Sequence, residues 1–290
     1  MLLGTVLLWA LNVVVTKWML ENGWQPLGYG TIRYGLAILV FWLFTAWRER
    51  SFRIARADWP YVALAAVAIF ANQVAYVYAV KLASASTVAL LLGATPVFMG
   101  LIALALGLER LQRTYWIGAA ITFAGVALIA IASGGGLSGS LLGNLLGIGT
   151  AATWAGYSTA IAPLMRRYSP YRISSVVLFA GWIPLAAVGS HQISHQHIHW
   201  GALMWVAFVY AVIGPLFLTN ILWFTAIDRV GAPRASLFGN LQPFFSVFFA
   251  LILLHESLHG MEIAGGLLIF AGIALERLRR RPRELAVPAE

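Results

Sequence analysis

The segment HESLH, residues 255–259, combines residue types at a spacing suited to binding a metal. In the pattern H-E-x-x-H, two imidazoles on one helical turn bind zinc, and the glutamate acts as a general base. Such a site also needs a third protein ligand and an open coordination position. Glu262 and Glu276 are the candidates for this third ligand. A membrane zinc metalloprotease that uses residues 255–259 is therefore one interpretation, which zinc content after purification would test.

A second group of histidines, in HQISHQHIH at residues 191–199, is a weaker metal candidate. The chain contains no cysteine and no carboxylate stands near this stretch, so we interpret it as a polar loop. The chain also lacks the GxxxxGK(S/T) pattern of P-loop ATPases. Apart from the interpretation of residues 255–259 as a zinc site, the sequence predicts no catalytic residue, no bound metal and no cofactor.

The elements that carry these residues are predicted to be membrane helices. Of the 290 residues, 61% are hydrophobic and 10% are charged, with a mean hydropathy of +0.83. A soluble domain of this size needs more charge to stay dissolved. A membrane-spanning helix needs about 20 consecutive apolar residues. We predict ten spans: 2–20, 27–47, 59–80, 84–107, 114–132, 141–163, 171–190, 200–226, 234–254 and 261–278.

The basic residues give these spans an orientation. With the N-terminus inside, the inner loops and the C-terminal tail hold all Lys and Arg residues except Lys17, Arg33 and Lys81. Cytoplasmic loops of membrane proteins carry such an excess, so we predict cytoplasmic N- and C-termini. The net charge of +9 is accordingly assigned to these loops and to contact with lipid headgroups, and not to nucleic acid.

The two halves of the chain are related by an internal repeat. At an offset of 147, residues 79–128 align without a gap to residues 226–275, with 16 identities in 50 positions, among them Pro96 with Pro243. Each half holds five predicted spans, so the second copy enters the membrane inverted. Inverted repeats are typical of secondary transporters. The repeat also pairs Glu256 with Glu109, which has no flanking histidine, and this argues against the protease interpretation.

The motifs resemble a known family. A-x5-A-S-T-x-A-L-L-x4-P from Ala79 to Pro96, then E-R-L at 109–111 and G-x6-G at 118–125, is similar to the EamA branch of the drug/metabolite transporter (DMT) superfamily. A second copy runs from Ala226 to Pro243, followed by Glu256, Gly265 and Gly272. The resemblance is strongest to YddG-type bacterial exporters of aromatic amino acids and paraquat, and it implies ten spans, a central cavity and efflux across the cytoplasmic membrane.

Together these features predict an all-α polytopic membrane protein, with ten transmembrane helices forming two inverted five-helix repeats around a central cavity. The first EamA-type repeat is predicted over 1–135, the second over 141–280, and a cytoplasmic tail over 281–290. The predicted function is a secondary transporter that exports small neutral or aromatic amino acids and related metabolites or drugs by alternating access. The alternatives are a membrane zinc metalloprotease that uses HESLH at 255–259 and a DMT carrier for other metabolites. The sequence leaves the oligomeric state open and is compatible with a monomer.

Polar and aromatic groups near the membrane midplane are the candidate substrate ligands, because polar groups there are costly unless they have a role. Aromatic faces can stack on an apolar side chain or attract an ammonium group, and amides can bond a carboxylate or amine. Joining neighbouring helices is the alternative role for each. The candidates are Trp9, Asn12, Gln73, Tyr76, Trp154, Tyr157, Asn220 and Trp223.

Three further predictions concern movement and charge. Pro96 and Pro243, in the middle of spans four and nine, are predicted hinges because proline kinks a helix. No acidic residue lies at the centre of a span, so the transport is predicted not to be proton-coupled. Arg33, near the outer end of span two, has two alternatives: it meets a substrate carboxylate, or it extends to the membrane interface.

Overall fold

The computed structural model describes residues 1–107, 113–132, 139–196, 198, 200–230, 239 and 241–278. The predicted linker around 133–138 and the tail at 281–290 therefore lie outside the described residues. In the described part of the chain the regular structure is all helical, as the composition predicts. The α-helices are α1 Leu2–Glu21, α2 Pro26–Arg48, α3 Trp59–Leu82, α4 Ala85–Leu92, α5 Thr95–Ala105, α6 Arg113–Ala132, α7 Gly139–Met165, α8 Pro170–Ser194, α9 Ala202–Val212, α10 Thr219–Val230, α11 Gln242–Leu253 and α12 Gly260–Leu278.

Local sequence explains where several helices begin. Prolines in the first turn start α2, α3 and α8, where the missing N–H would have no helical partner in any case. Ser169 adds a side-chain cap to α8, since its hydroxyl accepts from the Arg172 N–H. Among the described residues, six helical segments are long and apolar enough to cross a membrane. They are Leu2–Glu21, Pro26–Arg48, Arg56–Leu82, Ala85–Ala105, Pro170–Ser194 and Ala202–Trp223.

Helices from the two halves pack against each other in the core. Helix α2 lies along α8, where Trp182 Nε1 donates to the Thr31 carbonyl at 2.8 Å and the Thr45 and Ser175 hydroxyls share a bond of 2.7 Å. Helix α3 lies along α7 in the same way. At the end of the bundle that carries the arginines, Arg167 Nη1 donates to Asp58 Oδ1 at 2.7 Å.

The contact between α6 and α12 is reciprocal, because each helix contributes glycines at the same two positions of the repeat. A Cβ atom added to Gly125 would lie 2.4 Å from the Gly265 carbonyl oxygen, and one added to Gly272 would lie 2.4 Å from the Gly118 carbonyl oxygen. Position 125 thus meets 265, while 118 meets 272, so the two helices run antiparallel. These four glycines are two pairs of repeat partners, and only glycine permits so close a backbone approach.

Two helices begin at matching positions of the repeat. Helix α4 ends at Leu92 and α5 begins at Thr95, with Pro96 in its first turn. Helix α11 begins at Gln242, which is the repeat partner of Thr95, with Pro243 in its first turn. Each proline therefore lies in the first turn of a described helix, so its missing N–H group costs that helix no hydrogen bond.

The HESLH segment does not form a helical turn. Residues 255–259 connect α11 to α12, and His255 has a φ of 52°. The two histidines therefore are not presented one turn apart on a helix, as the zinc pattern requires. Among the described residues no group of three metal-binding side chains comes together. The Glu256 carboxylate instead accepts from the Ala85 and Ser86 N–H groups at 2.7 and 2.9 Å.

Candidate substrate-binding site

Three tryptophans converge in the interior, each from a different helix. Trp9 of α1 meets Trp154 of α7 edge to face, with ring centroids 6.1 Å apart, and Trp223 of α10 at 5.0 Å. Tyr157, one turn beyond Trp154, adds a fourth ring at 5.4 Å. Tyr157 is buried, whereas the three tryptophans are partly exposed. The cluster therefore presents ring faces and edges on which an apolar or aromatic side chain can pack.

Trp9 and Trp154 are also the tryptophans near the start of each half, in LLWALN and ATWAGY. Their contact joins corresponding positions of the two halves. Four of the predicted ligands thus come together in one cluster, which we call the aromatic cluster: Trp9, Trp154, Tyr157 and Trp223.

A polar network lies one helical turn along α1 from Trp9. Its centre is Arg33, whose side chain leaves α2 and enters the bundle, where the residue is only 2% exposed. Arg33 Nη1 donates to Asn12 Oδ1 at 3.0 Å and to the Tyr29 hydroxyl at 3.3 Å, and Nη2 donates to Gln73 Oε1 at 3.2 Å. This direction excludes the interpretation in which Arg33 extends to the membrane interface.

Hydroxyl groups continue this network around Asn12. Asn12 Nδ2 donates to the Tyr76 hydroxyl at 3.1 Å, which in turn donates to Thr16 Oγ1 at 3.3 Å. Thr16 and Tyr29 share a bond of 3.2 Å. The residues of the polar network are therefore Asn12, Thr16, Tyr29, Arg33, Gln73 and Tyr76.

The network is tied to α7 through Asn72. Gln73 Nε2 donates to Asn72 Oδ1 at 3.1 Å, and Asn72 Nδ2 donates to the Thr150 carbonyl at 2.9 Å. Thr150 lies one turn before Trp154 on the same helix. A continuous set of contacts thus connects Arg33 to the helix that supplies Trp154 and Tyr157.

Asn220 does not join either group through its amide nitrogen. Its Nδ2 donates to the Leu216 carbonyl of its own helical turn. The preceding segment, Ile213–Leu218, is a π-helix that contains Pro215, and segments of this kind are frequent at functional sites.

Sequence reasoning missed Tyr29 and left the position of Arg33 open. The spacing of Tyr29 and Arg33, four apart on α2, was the available signal, because such residues share one helix face. The guanidinium lies 5.0 Å from the Tyr29 ring and 5.5 Å from the Tyr34 ring. A face that holds two aromatic rings and one arginine is better suited to the interior than to lipid.

The polar network carries a positive charge that no described negative charge balances. Among the described residues, no carboxylate contacts Arg33, whose hydrogen-bond partners are all neutral oxygens. The described carboxylates that form ion pairs do so near the helix ends, as Glu21 does with Lys17, Glu49 with Arg172 and Asp58 with Arg167. The site therefore combines one buried positive charge, several amides and hydroxyls, and an aromatic cluster.

Apolar helices long enough to cross a membrane, together with a polar and aromatic interior, are the features of a multi-pass membrane protein. The EamA-like transporter family matches residues 1–131 and 141–276. The chain belongs to this family, within the DMT superfamily, as its motifs predict.

Known relatives cover nearly the whole chain. A protein of Salmonella typhimurium named "Probable amino-acid metabolite efflux pump" is 27% identical over 299 residues, covering 96% of this chain and 95% of the relative. One of Streptantibioticus cattleyicolor named "Probable terminal-alkyne amino-acid exporter" is 28% identical over 295 residues, covering 97% of each. A solved crystal structure, 21% identical, superposes with a TM-score of 0.67 over 95% of this chain and 94% of its own, so it shares the fold.

Proposed function

We propose that this protein is a secondary transporter that exports small neutral or aromatic amino acids, and related metabolites or drugs, across the cytoplasmic membrane. The observation that carries the proposal is the aromatic cluster, which lies where the two halves meet and one helical turn from the polar network. Aromatic rings suit an apolar side chain, and amides and hydroxyls suit the polar groups of an amino acid.

The relatives support an amino acid as the substrate class. Two of those that align over nearly the entire chain carry names that refer to amino-acid export or efflux. The interior supports it independently, because a phosphorylated substrate would call for several cations, and the described site holds one, Arg33. DMT carriers for more highly charged metabolites are therefore the weaker alternative.

The proposed architecture has ten spans in two inverted repeats, residues 1–135 and 141–280, with both termini cytoplasmic. The antiparallel, reciprocal glycine contacts of α6 and α12 support this arrangement, because repeats related by a two-fold axis in the membrane plane produce them. The chain has no cysteine, so single cysteines placed at Arg110 and His255 would report topology directly. Labelling of both from the same side of the membrane would refute the inversion.

The proposed mechanism is alternating access without proton coupling. The site would open to each side in turn as the halves rearrange, with Pro96 and Pro243 as hinges. The break at Gly93 lies beside the start of α11, since Pro243 Cγ is 3.6 Å from the position of a Cβ atom on Gly93. The acidic residues named above as ion-paired lie at helix ends, so the described site offers none of them as a proton carrier.

The test is counterflow in proteoliposomes with a panel of labelled amino acids, with and without a pH gradient. We expect saturable exchange of neutral and aromatic amino acids that is insensitive to the gradient. Failure to exchange any neutral amino acid would refute the substrate class. Stimulation by the gradient would refute the uncoupled mechanism while leaving the substrate class intact.

A further inference from the structure

The guanidinium of Arg33 has unused hydrogen-bonding capacity. A guanidinium carries five N–H groups, two on each Nη and one on Nε. Nη1 uses both of its hydrogens, on Asn12 and Tyr29, while Nη2 uses one, on Gln73. Nε is fully buried and has no hydrogen-bond partner in the described part of the chain. The Nε–H and one Nη2 N–H therefore remain, and Nε together with Nη2 forms the edge with which an arginine binds both oxygens of a carboxylate.

The charge of Arg33 is also uncompensated in the described structure. Its three acceptors are an amide oxygen from α1, an amide oxygen from α3 and a phenol oxygen from its own helix, at 3.0 to 3.3 Å. Charge-assisted bonds from arginine to a carboxylate are shorter, about 2.7–2.9 Å. A buried cation without an anionic partner is costly within a membrane. The cost has an explanation if a ligand supplies the anion.

The neighbouring residues indicate what the rest of a ligand bound to Arg33 can contact. Asn12, which holds Arg33 Nη1, is three residues from Trp9 on α1, a rise of about 4.5 Å along the helix. A ligand bound to Arg33 by a carboxylate therefore has the aromatic cluster within reach of its other end. No carboxylate among the described residues of the polar network or the aromatic cluster is available to pair with an ammonium group.

We propose that Arg33 binds the carboxylate of the substrate through its Nε edge, and that this contact, and not recognition of the amine, selects the substrate. The inference rests on the proposed function and specifies which end of the amino acid is read. An ammonium group would rest against ring faces, which attract it weakly. Aromatic carboxylates that lack the amine are therefore ligands as well.

The test uses the full-length protein and three probes that differ in one charged group each. They are L-phenylalanine, 3-phenylpropionate, which lacks the amine, and L-phenylalanine amide, which lacks the carboxylate. Calorimetry in detergent would give the Kd of each. We expect 3-phenylpropionate to bind within about threefold of phenylalanine, and the amide to bind about 30-fold more weakly or worse, since breaking a buried charged pair has an effect of that order.

Variants assign the effect to the guanidinium. R33Q should raise the Kd of both carboxylates about 30-fold and leave that of the amide unchanged. R33K should give carboxylate Kd values between those of wild type and R33Q, because a lysine cannot bind both oxygens of a carboxylate in parallel. R167Q is the matched control, since Arg167 loses the same charge far from the site and its side chain is 62% exposed. We expect wild-type affinities from it.

Two results would overturn the proposal: an amide that binds wild-type protein as tightly as phenylalanine, or an R33Q variant that weakens all three probes equally. The second result would assign Arg33 a merely structural role. Counterflow separates this inference from the proposed function. Exchange of amino acids without a carboxylate preference refutes only the role of Arg33. Arginine-dependent binding of 3-phenylpropionate without amino-acid exchange upholds that role and refutes the proposed function.

Discussion

The Glu256 carboxylate caps a helix of the other half of the chain, and its removal should destabilise the protein measurably. Its two oxygens accept from the Ala85 N–H at 2.7 Å, the Ser86 N–H at 2.9 Å and the Ser86 hydroxyl at 2.7 Å. These N–H groups belong to the first turn of α4, which has no helical partners for them. The negative charge also lies at the positive end of the helix dipole.

The magnitude follows from these three bonds. Each bond to a partly exposed carboxylate contributes about 1 kcal/mol, and the charge at the helix N-terminus adds about 0.5 kcal/mol. E256A should thus lose about 3 to 4 kcal/mol. At about 2 °C per kcal/mol for a chain of this size, the Tm should fall by about 6 to 8 °C. E256Q keeps the shape and one oxygen acceptor, so it should lose about half as much.

Thermal unfolding of purified protein in detergent, followed by intrinsic fluorescence, measures this change. Glu21→Ala is the matched control, because that side chain is 51% exposed and pairs only with Lys17, four residues earlier. Exposed pairs contribute little, so its Tm should move by about 1 °C or less. An E256A variant that melts within about 2 °C of wild type would refute the capping role.

Three further outcomes follow from the fold and the site. Pro96→Ala and Pro243→Ala should slow counterflow more than they weaken binding, because alanine restores the N–H that lets adjacent helices fuse; unchanged exchange by both variants would contradict the hinge role. Gly125→Ala should lower the Tm by several degrees, since its Cβ would meet a backbone carbonyl at 2.4 Å. Gly4→Ala is the control and should leave the Tm unchanged, because no described atom lies within 4 Å of its Cβ position. Equal Tm values for the two variants would rule out the tight α6–α12 contact. Trp9→Ala should raise the KM for phenylalanine about tenfold in counterflow and that for alanine by less than about threefold; an equal rise for both would show that the ring does not read the side chain.

Much of the fold was readable from the sequence because it repeats. The 147-residue offset pairs Thr95 with Gln242, and both residues begin helices in the structure. The same offset pairs the glycines that let α6 and α12 approach closely. Composition alone indicated helices in a membrane, since apolar runs of about 20 residues have few other structures available to them.

The candidate site was only partly readable, for two physical reasons. Helical spacing relates residues within one helix, as for Trp9 with Asn12, but the contact of Arg33 with Gln73 depends on how α2 and α3 pack. Short motifs also ignore backbone conformation. HESLH has the spacing of a zinc peptidase, but the backbone at His255 is not helical. The Glu256 carboxylate in this loop accepts a hydrogen bond from the Ala85 N–H instead.

The ligand environment is unequal on its two sides, and this has a consequence for how a molecule travels. Every member of the polar network belongs to the first half of the chain, whereas three of the four rings in the aromatic cluster belong to the second. Two identical subunits would surround a substrate with the same groups on both sides and would bind it in either orientation. Because the two halves of this chain differ, only one orientation of the substrate places its polar end in the polar network and its apolar end in the aromatic cluster. Each substrate molecule should therefore cross the membrane in a single fixed orientation.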